Sequence, residues 1–285
     1  MNRIALLGPV EDMLSQDYIR HALLAGTFIA LAAGLVGHFV VLRNQVFTGD
    51  ALSHVAFTGS LGAYAAGIPP LLGLYGATVG TALGMGSLGG RGRSRDVVIG
   101  TVFAWVLGLG VLFLSIYTTT RSSADGAAGV NVLFGSIFGI SLAQAVTAAL
   151  VGTGVSAAVL ALGRPLLLSS IDTEVAAGRG IPVRLIGLAF LVLVGVTVGE
   201  AVQAVGALLI VGLLVTPAAA AQRLTARPFR ALAVSGSIAV GCVWVGLFLA
   251  YLVPHLPPSS AITGLAVTVY LVATLATRWR PAQTA

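Results

Sequence analysis

Long apolar stretches alternate along the chain with short clusters of arginine, glycine and proline. A helix needs about 20 apolar residues to cross roughly 30 Å of hydrocarbon, because in lipid the backbone must satisfy its own hydrogen bonds. Nine stretches meet or approach that length: Ile19 to Val41, Phe47 to Ala66, Pro70 to Leu88, Val97 to Tyr117, Leu142 to Leu162, Leu185 to Val202, Val205 to Ala221, Ala231 to Leu252 and Ala261 to Thr277. The sixth and seventh follow each other with almost no link. Pro217 lies inside the seventh, where a missing N–H removes one rung of the helical ladder and predicts a kink or a break. Small residues crowd the spans, for example Gly26, Gly34 and Gly37 in the first and Gly100, Gly108 and Gly110 in the fourth. They permit close helix approach where lipid supplies no hydrophobic drive. The pattern predicts an all-α, polytopic transmembrane bundle of eight to nine spans. Residues 1–18 form an N-terminal segment, 19–277 the membrane domain and 278–285 a C-terminal tail.

Composition removes the water-soluble alternative. Of 285 residues, 57% are hydrophobic and 8% charged, with a mean hydropathy of +1.01, whereas soluble domains carry about a quarter charged residues. Glu11, Asp12 and Asp17 precede the first apolar run, which is too long for a cleaved leader and reads as a retained helix. The single cysteine, Cys242, lies in an apolar run, so neither an intrachain disulfide nor a C-x-x-C motif exists.

Charge sets the topology. The chain has no lysine, so its fifteen cations are all arginines. Nine spans with the C-terminus inside place Arg43, Arg91, Arg93, Arg95, Arg164, Arg179, Arg184, Arg223, Arg227, Arg230, Arg278 and Arg280 on one side, and Arg3, Arg20 and Arg121 on the other. Arginine-bearing loops stay cytoplasmic, so the tail is expected there, in a multi-pass protein of the cytoplasmic membrane. The lysine-free sequence also lacks a G-x-x-x-x-G-K-[ST] phosphate loop and so any P-loop ATPase site. Neither H-E-x-x-H nor G-x-S-x-G occurs.

Ionisable groups inside spans cost several kcal/mol unless paired or wetted, which makes them functional candidates. His38, Asp50, His54 and Glu200 are the four that stand out. A spacing of four puts Asp50 and His54 on one helix face, with Cβ atoms about 5–6 Å apart. A carboxylate oxygen with an imidazole nitrogen suits zinc, manganese or ferrous iron, and poorly suits copper(I), which favours sulfur. Two ligands also release an ion more readily than a closed cage, as a transport path requires. Each residue has a simpler account. Asp50 could cap a helix that opens at Gly49, His54 could make an interhelical hydrogen bond, and His38 could pack in the core rather than serve as a third ligand. Glu200, with Gln203, lies near the expected outer end of its span, where interfacial water or a charged vestibule accounts for it.

The stretch Gly49-Asp50-Ala51-Leu52-Ser53-His54 resembles the G-D-[AT]-[LI]-S-H signature of permeases from manganese, zinc and iron ABC importers. Asp172 to Ile181 resembles that family's D-x-E-x-A-x-x-x-G-[IV] element, and Gln203-Ala204-Val205-Gly206 followed by Leu214-Val215-Thr216-Pro217-Ala218-Ala219 agrees in order and spacing. The resemblance covers the chain from about Ala22 to Thr277. One departure is that only Arg43 remains of the arginines usual before the G-D motif.

The resemblance implies a vitamin B12-importer-like fold and a homodimer of the permease in the lipid bilayer. It also implies an ABC ATPase subunit, an extracytoplasmic metal-binding protein, no nucleic acid and no permanently bound cofactor. Manganese, zinc or iron is the cargo. It places Asp50 and His54 as metal ligands on the path. A coupling element at about 170–183, carrying Asp172, Glu174, Ala176 and Gly180, would seat on the ATPase. The rivals are a siderophore or cobalamin permease, which needs a wider path without paired ligands, and an ATP-independent carrier, for which inverted repeats with matched broken helices are expected. An intramembrane enzyme would instead turn over substrate as a single chain.

Overall fold

A computed structural model describes residues 12–88, 93–120, 133–253 and 255–278. Arg3, Glu11, Arg91, Arg121, Asp125 and Arg280, most of the N-terminal segment and all but the first residue of the C-terminal tail lie outside the described residues. Helices α1 (Asp17–Leu42), α2 (Val46–Ala66), α3 (Pro70–Leu88), α4 (Arg93–Thr120) and α5 (Leu142–Ala161) are followed by two short ones, α6 (Gly163–Ile171) and α7 (Thr173–Gly178). Then come α8 (Val183–Val205), α9 (Ile210–Leu224), α10 (Pro228–Leu252) and α11 (Pro258–Arg278). No strand occurs among the described residues.

Local sequence sets several of these ends. Ser141 and Gln144 close a capping box that starts α5, the Ser141 hydroxyl accepting from the Gln144 amide at 3.3 Å and the Gln144 Oε1 accepting from the Ser141 amide at 3.0 Å. Gly67, at φ +73°, ends α2 in the left-handed conformation that costs glycine least. Each predicted span overlaps a helix, the seventh only from Ile210 onward. Six of those helices are long and apolar enough to cross a membrane: Asp17–Leu42, Ile99–Tyr117, Leu142–Ala161, Val183–Val205, Pro228–Leu252 and Pro258–Thr277. α2 falls below that hydropathy because Asp50, His54 and several Ser, Thr and Gly residues dilute it. α9 is too short.

α1 is the centre of one half of the bundle and packs against α5, α9 and α10, while α11 leans on α9 and α10. α2, α3 and α4 form the other half, and α8 touches α1, α2 and α3, so it joins the two. Close approach comes from glycine. A Cβ built on Gly34 would lie 2.8 Å from both the Ser235 carbonyl oxygen and the Gly236 Cα of α10. One built on Gly37 would overlap the Leu214 carbonyl of α9. Gly59 of α2 and Gly73 of α3 meet backbone to backbone in the same way. The Ser235 hydroxyl seals the α1–α10 contact by donating to the Gly34 carbonyl at 2.6 Å, with no solvent access. Cys242 lies buried on α10.

Two expectations are corrected. The seventh span does not start at Val205: the chain turns through Gly206, at φ +93°, and helix resumes at Ile210. The cause is a backbone clasp, in which residues 133–136 lie against 203–208. The Leu208 amide donates to the Leu133 carbonyl at 3.2 Å, and the Ser136 amide donates to the Gln203 carbonyl at 3.3 Å. Gly135, at φ +77°, and Gly206 face each other there without room for side chains. Such irregular backbone is tolerated at membrane depth only when protein covers it. Pro217 also fails to break its helix, since α9 runs continuously past it to Leu224.

Candidate metal path and coupling element

α2 starts at Val46, so Asp50 lies in its second turn and does not cap the helix. At 1.5 Å per residue, Asp50 and His54 stand about 6 and 12 Å from the helix start. They share one strip of an otherwise buried helix. The Asp50 side chain is 38% exposed and that of His54 17%, with Nε2 of His54 4.0 Å from Oδ1 of Asp50. Two atoms bound to one ion at about 2.0–2.2 Å stand about 3–3.5 Å apart, so a small rotation of either side chain closes the pair on a cation. His54 makes no hydrogen bond to another helix among the described residues. Its ring packs edge-on against Phe103 of α4, with centroids 5.2 Å apart, and Phe47 meets the same Phe103 ring at 5.7 Å. Phe103 therefore flanks the strip beside Asp50, a role no sequence pattern announces.

His38 and Glu200 do not join this pair. No three His, Cys, Asp or Glu groups are placed to hold one metal ion among the described residues. His38 is buried on α1, its ring edge-on to Phe39 at 5.3 Å and its Nδ1 without a hydrogen-bond partner among the described residues. The expectation that interfacial water reaches Glu200 is corrected: it is 5% exposed, and its Oε2 is enclosed without a partner among the described residues. The reason is that this whole end of α8 is enclosed by its neighbours, Val198, Ala201, Val202, Ala204 and Val205 being buried as well.

The segment around Asp172 to Gly180 is legible residue by residue. Oδ1 of Asp172 accepts from the amides of Glu174 and Val175, both at 2.9 Å, and so caps α7. Ala176 is the buried residue of that helix, and Glu174 and Val175 face outward. Gly180, at φ +76°, supplies the left-handed turn that ends it, with the Ile181 amide donating to the Ala176 carbonyl at 3.1 Å. Sequence reasoning used Arg43 for topology and as the arginine remaining before the G-D motif, and missed its contacts. From the α1–α2 corner, its Nε donates to Ser170 Oγ and its Nη2 to Ser169 Oγ, each at 2.7 Å. The guanidinium also stacks on Phe190 of α8 at 4.9 Å. The Ser169-Ser170 pair was the available signal. Arg43 thereby ties the corner that leads into α2 to α6, the helix just before Asp172.

These features define a multi-pass helical membrane protein with a polar carboxylate–imidazole strip and a capped helical element at the arginine-bearing end. The chain matches the ABC 3 transport family over residues 15–277 and belongs to it. It is therefore a membrane permease subunit of the ABC type, with no ATPase site of its own. One relative is the manganese transport system membrane protein MntC of Halalkalibacterium halodurans, 29% identical over 187 residues. That match spans 65% of this chain and 62% of the relative, less than two thirds of its length. The MntC protein of Listeria innocua is 26% identical over 267 residues, 93% of each chain. Among solved structures, PsaBC from Streptococcus pneumoniae in complex with Fab superposes with a TM-score of 0.80 at 24% identity, covering 94% of this chain and 95% of that one. At that identity the likeness is one of fold.

Proposed function

We propose that this chain is the translocating permease of an ABC importer for a divalent transition metal, manganese, zinc or iron, with Asp50 and His54 as ligands on the path. The observation that carries this reading is the open Asp50–His54 strip on a helix whose other faces are buried. Relatives named for manganese transport support it. The carboxylate–imidazole pair itself accepts all three ions, so selectivity rests on geometry and supply. Two copies of the permease would face their strips toward a common axis, bringing two pairs to one ion and covering the exposed Phe47. His38 and Glu200, buried away from the pair, serve as secondary polar stations on α1 and α8 if the bundle opens.

In this reading nine helices span the cell membrane with the arginine-bearing end and the C-terminus in the cytoplasm. An extracytoplasmic metal-binding protein delivers the ion, and an ABC ATPase subunit seats the element at residues 170–183. There Glu174 and Val175 are presented outward, while Asp172, Ala176 and Gly180 hold the shape. ATP-driven movement of α6 and α7 reaches α2 through Arg43, whose grip on Ser169 and Ser170 lies seven residues before Asp50. Rigid elements with two arrangements transmit such motion.

The test is accumulation of manganese, zinc and iron in cells expressing this chain with its ATPase and binding protein. Uptake of one of these ions that requires ATP hydrolysis is the expected result. Uptake of none of them, with uptake of a metal chelate instead, would overturn the free-ion reading.

A further inference from the structure

His54 stands on the strip without the support that metal-binding histidines ordinarily have. Such a ring almost always donates its second N–H to a carboxylate, a backbone carbonyl or a water, which fixes its orientation and raises its basicity. Among the described residues no group does so for His54. Its polar neighbour is Asp50 on the same helix, 4.0 Å away. The ring against it is Phe103 of α4, with centroids 5.2 Å and planes 75° apart. A near-perpendicular aromatic pair of this kind is a preferred arrangement, so it restricts the plane of both rings.

Phe103 is itself held. It packs against the buried cluster of Ala51, Met85 and Ile99, drawn from α2, α3 and α4, and the Phe47 ring meets it from the start of α2 at 5.7 Å. The register of α4 along α2 is pinned beyond it. The Thr58 hydroxyl donates to the Val106 carbonyl at 3.1 Å in a buried contact. A Cβ built on Gly110 would lie 2.7 Å from the same hydroxyl, and Phe113 covers Gly62. Sliding α4 along α2 would break that bond and both fits, so Phe103 stays opposite His54.

We propose that Phe103 is a positioning residue for the metal path. It sets the plane of the His54 imidazole so that Nε2 is presented toward Oδ1 of Asp50, and its packing takes the place of the usual hydrogen bond. This role rests on the reading of Asp50 and His54 as ligands and adds to it a side chain that ligates nothing. The consequence is chemical. A ring oriented by packing gains geometry without the basicity that a hydrogen-bonded partner would add, so the pair meets the ion ready-placed but holds it weakly. Weak holding permits release, which a station on a path requires.

The experiment uses the full chain assembled with its ATPase partner in nanodiscs, with manganese as the probe. Electron paramagnetic resonance supplies two readouts: the dissociation constant, from loss of the free-ion signal, and the nitrogen coupling that a bound imidazole imprints on the ion. Phe103→Leu and Phe103→Met keep apolar volume and remove the ring. Each is expected to weaken binding about 2- to 10-fold, the range that loss of one aromatic pair amounts to, and to diminish the nitrogen coupling. Phe103→Tyr keeps the ring at a half-buried position and should bind as the unaltered chain does. Phe113→Leu removes a ring from the same seam beside Gly62, eight residues or about 12 Å along α2 from His54, and should change neither readout. Unchanged affinity and coupling in both ring-free variants would overturn the role of Phe103 while leaving the two ligands in place. Equal weakening by Phe113→Leu would assign the effect to packing of the seam and overturn the role too, as would equal weakening by Phe103→Tyr. Nitrogen coupling that is absent from the unaltered chain, or that survives His54→Ala, would overturn the ligand reading and the positioning role with it.

Discussion

Alanine at both Asp50 and His54 will reduce metal accumulation to background while leaving the amount of assembled protein near that of the unaltered chain. The two halves of that expectation have separate causes. Assembly survives because neither side chain holds the fold. Asp50 lies past the first turn of α2 and caps nothing, and its 4.0 Å approach to His54 is partly exposed, the kind of pair that contributes only about 0.2–1 kcal/mol. Transport fails because among the described residues no other group stands close enough to replace either ligand. A path lined only by apolar groups and hydroxyls would leave the ion to shed its water uncompensated. Asp50→Asn and His54→Gln separate shape from ligation: each keeps one weakly ligating amide oxygen and should retain at most a small residue of uptake. Uptake by the well-expressed double variant at the unaltered rate would remove the pair from the path.

Gly37→Val is expected to be the most damaging single substitution for stability. A side chain there overlaps the Leu214 carbonyl of α9, and a backbone atom cannot turn aside as a flexible side chain can. α1 has no freedom to retreat, since Gly34, one turn earlier, is already pressed on the Ser235–Gly236 backbone of α10. Overpacking of this kind costs about 1–3 kcal/mol and sometimes more. It should appear as an early loss of the monodisperse peak when detergent-solubilised protein is heated before size-exclusion chromatography. Gly241→Ala provides the contrast: nothing lies within 4 Å of its Cβ position, and the heated profile should match that of the original chain.

The apolar pattern was a reliable guide to where helices lie, because a membrane helix must be continuous in both hydrogen bonding and hydropathy. Asp50 and His54 were legible together since a spacing of four is a property of one helix. Asp172 and Gly180 entered through the family resemblance, and their parts as a cap and a left-handed stop emerge from the structure. What could not be read depends on contacts distant in sequence. The turn at Gly206 exists because residues 133–136 dock on it, so the run from Val205 looked like uninterrupted helix. Glu200 seemed wetted by its position near a helix end, yet packing around that end buries it. Arg43 reaches residues more than a hundred positions away, and Phe103 meets His54 from another helix.

Cys242 gives the molecule a practical property. It is the only thiol in this sequence, it is 2% exposed, and it sits on the helix whose Ser235–Gly236 stretch grips α1. A maleimide added to the protein therefore meets a silent molecule and begins to react only when α10 separates from its neighbours. The rate of modification is thus a clock for bundle opening, read without engineering a label, and it can be run in the presence and absence of ATP to time the transport cycle from inside the protein.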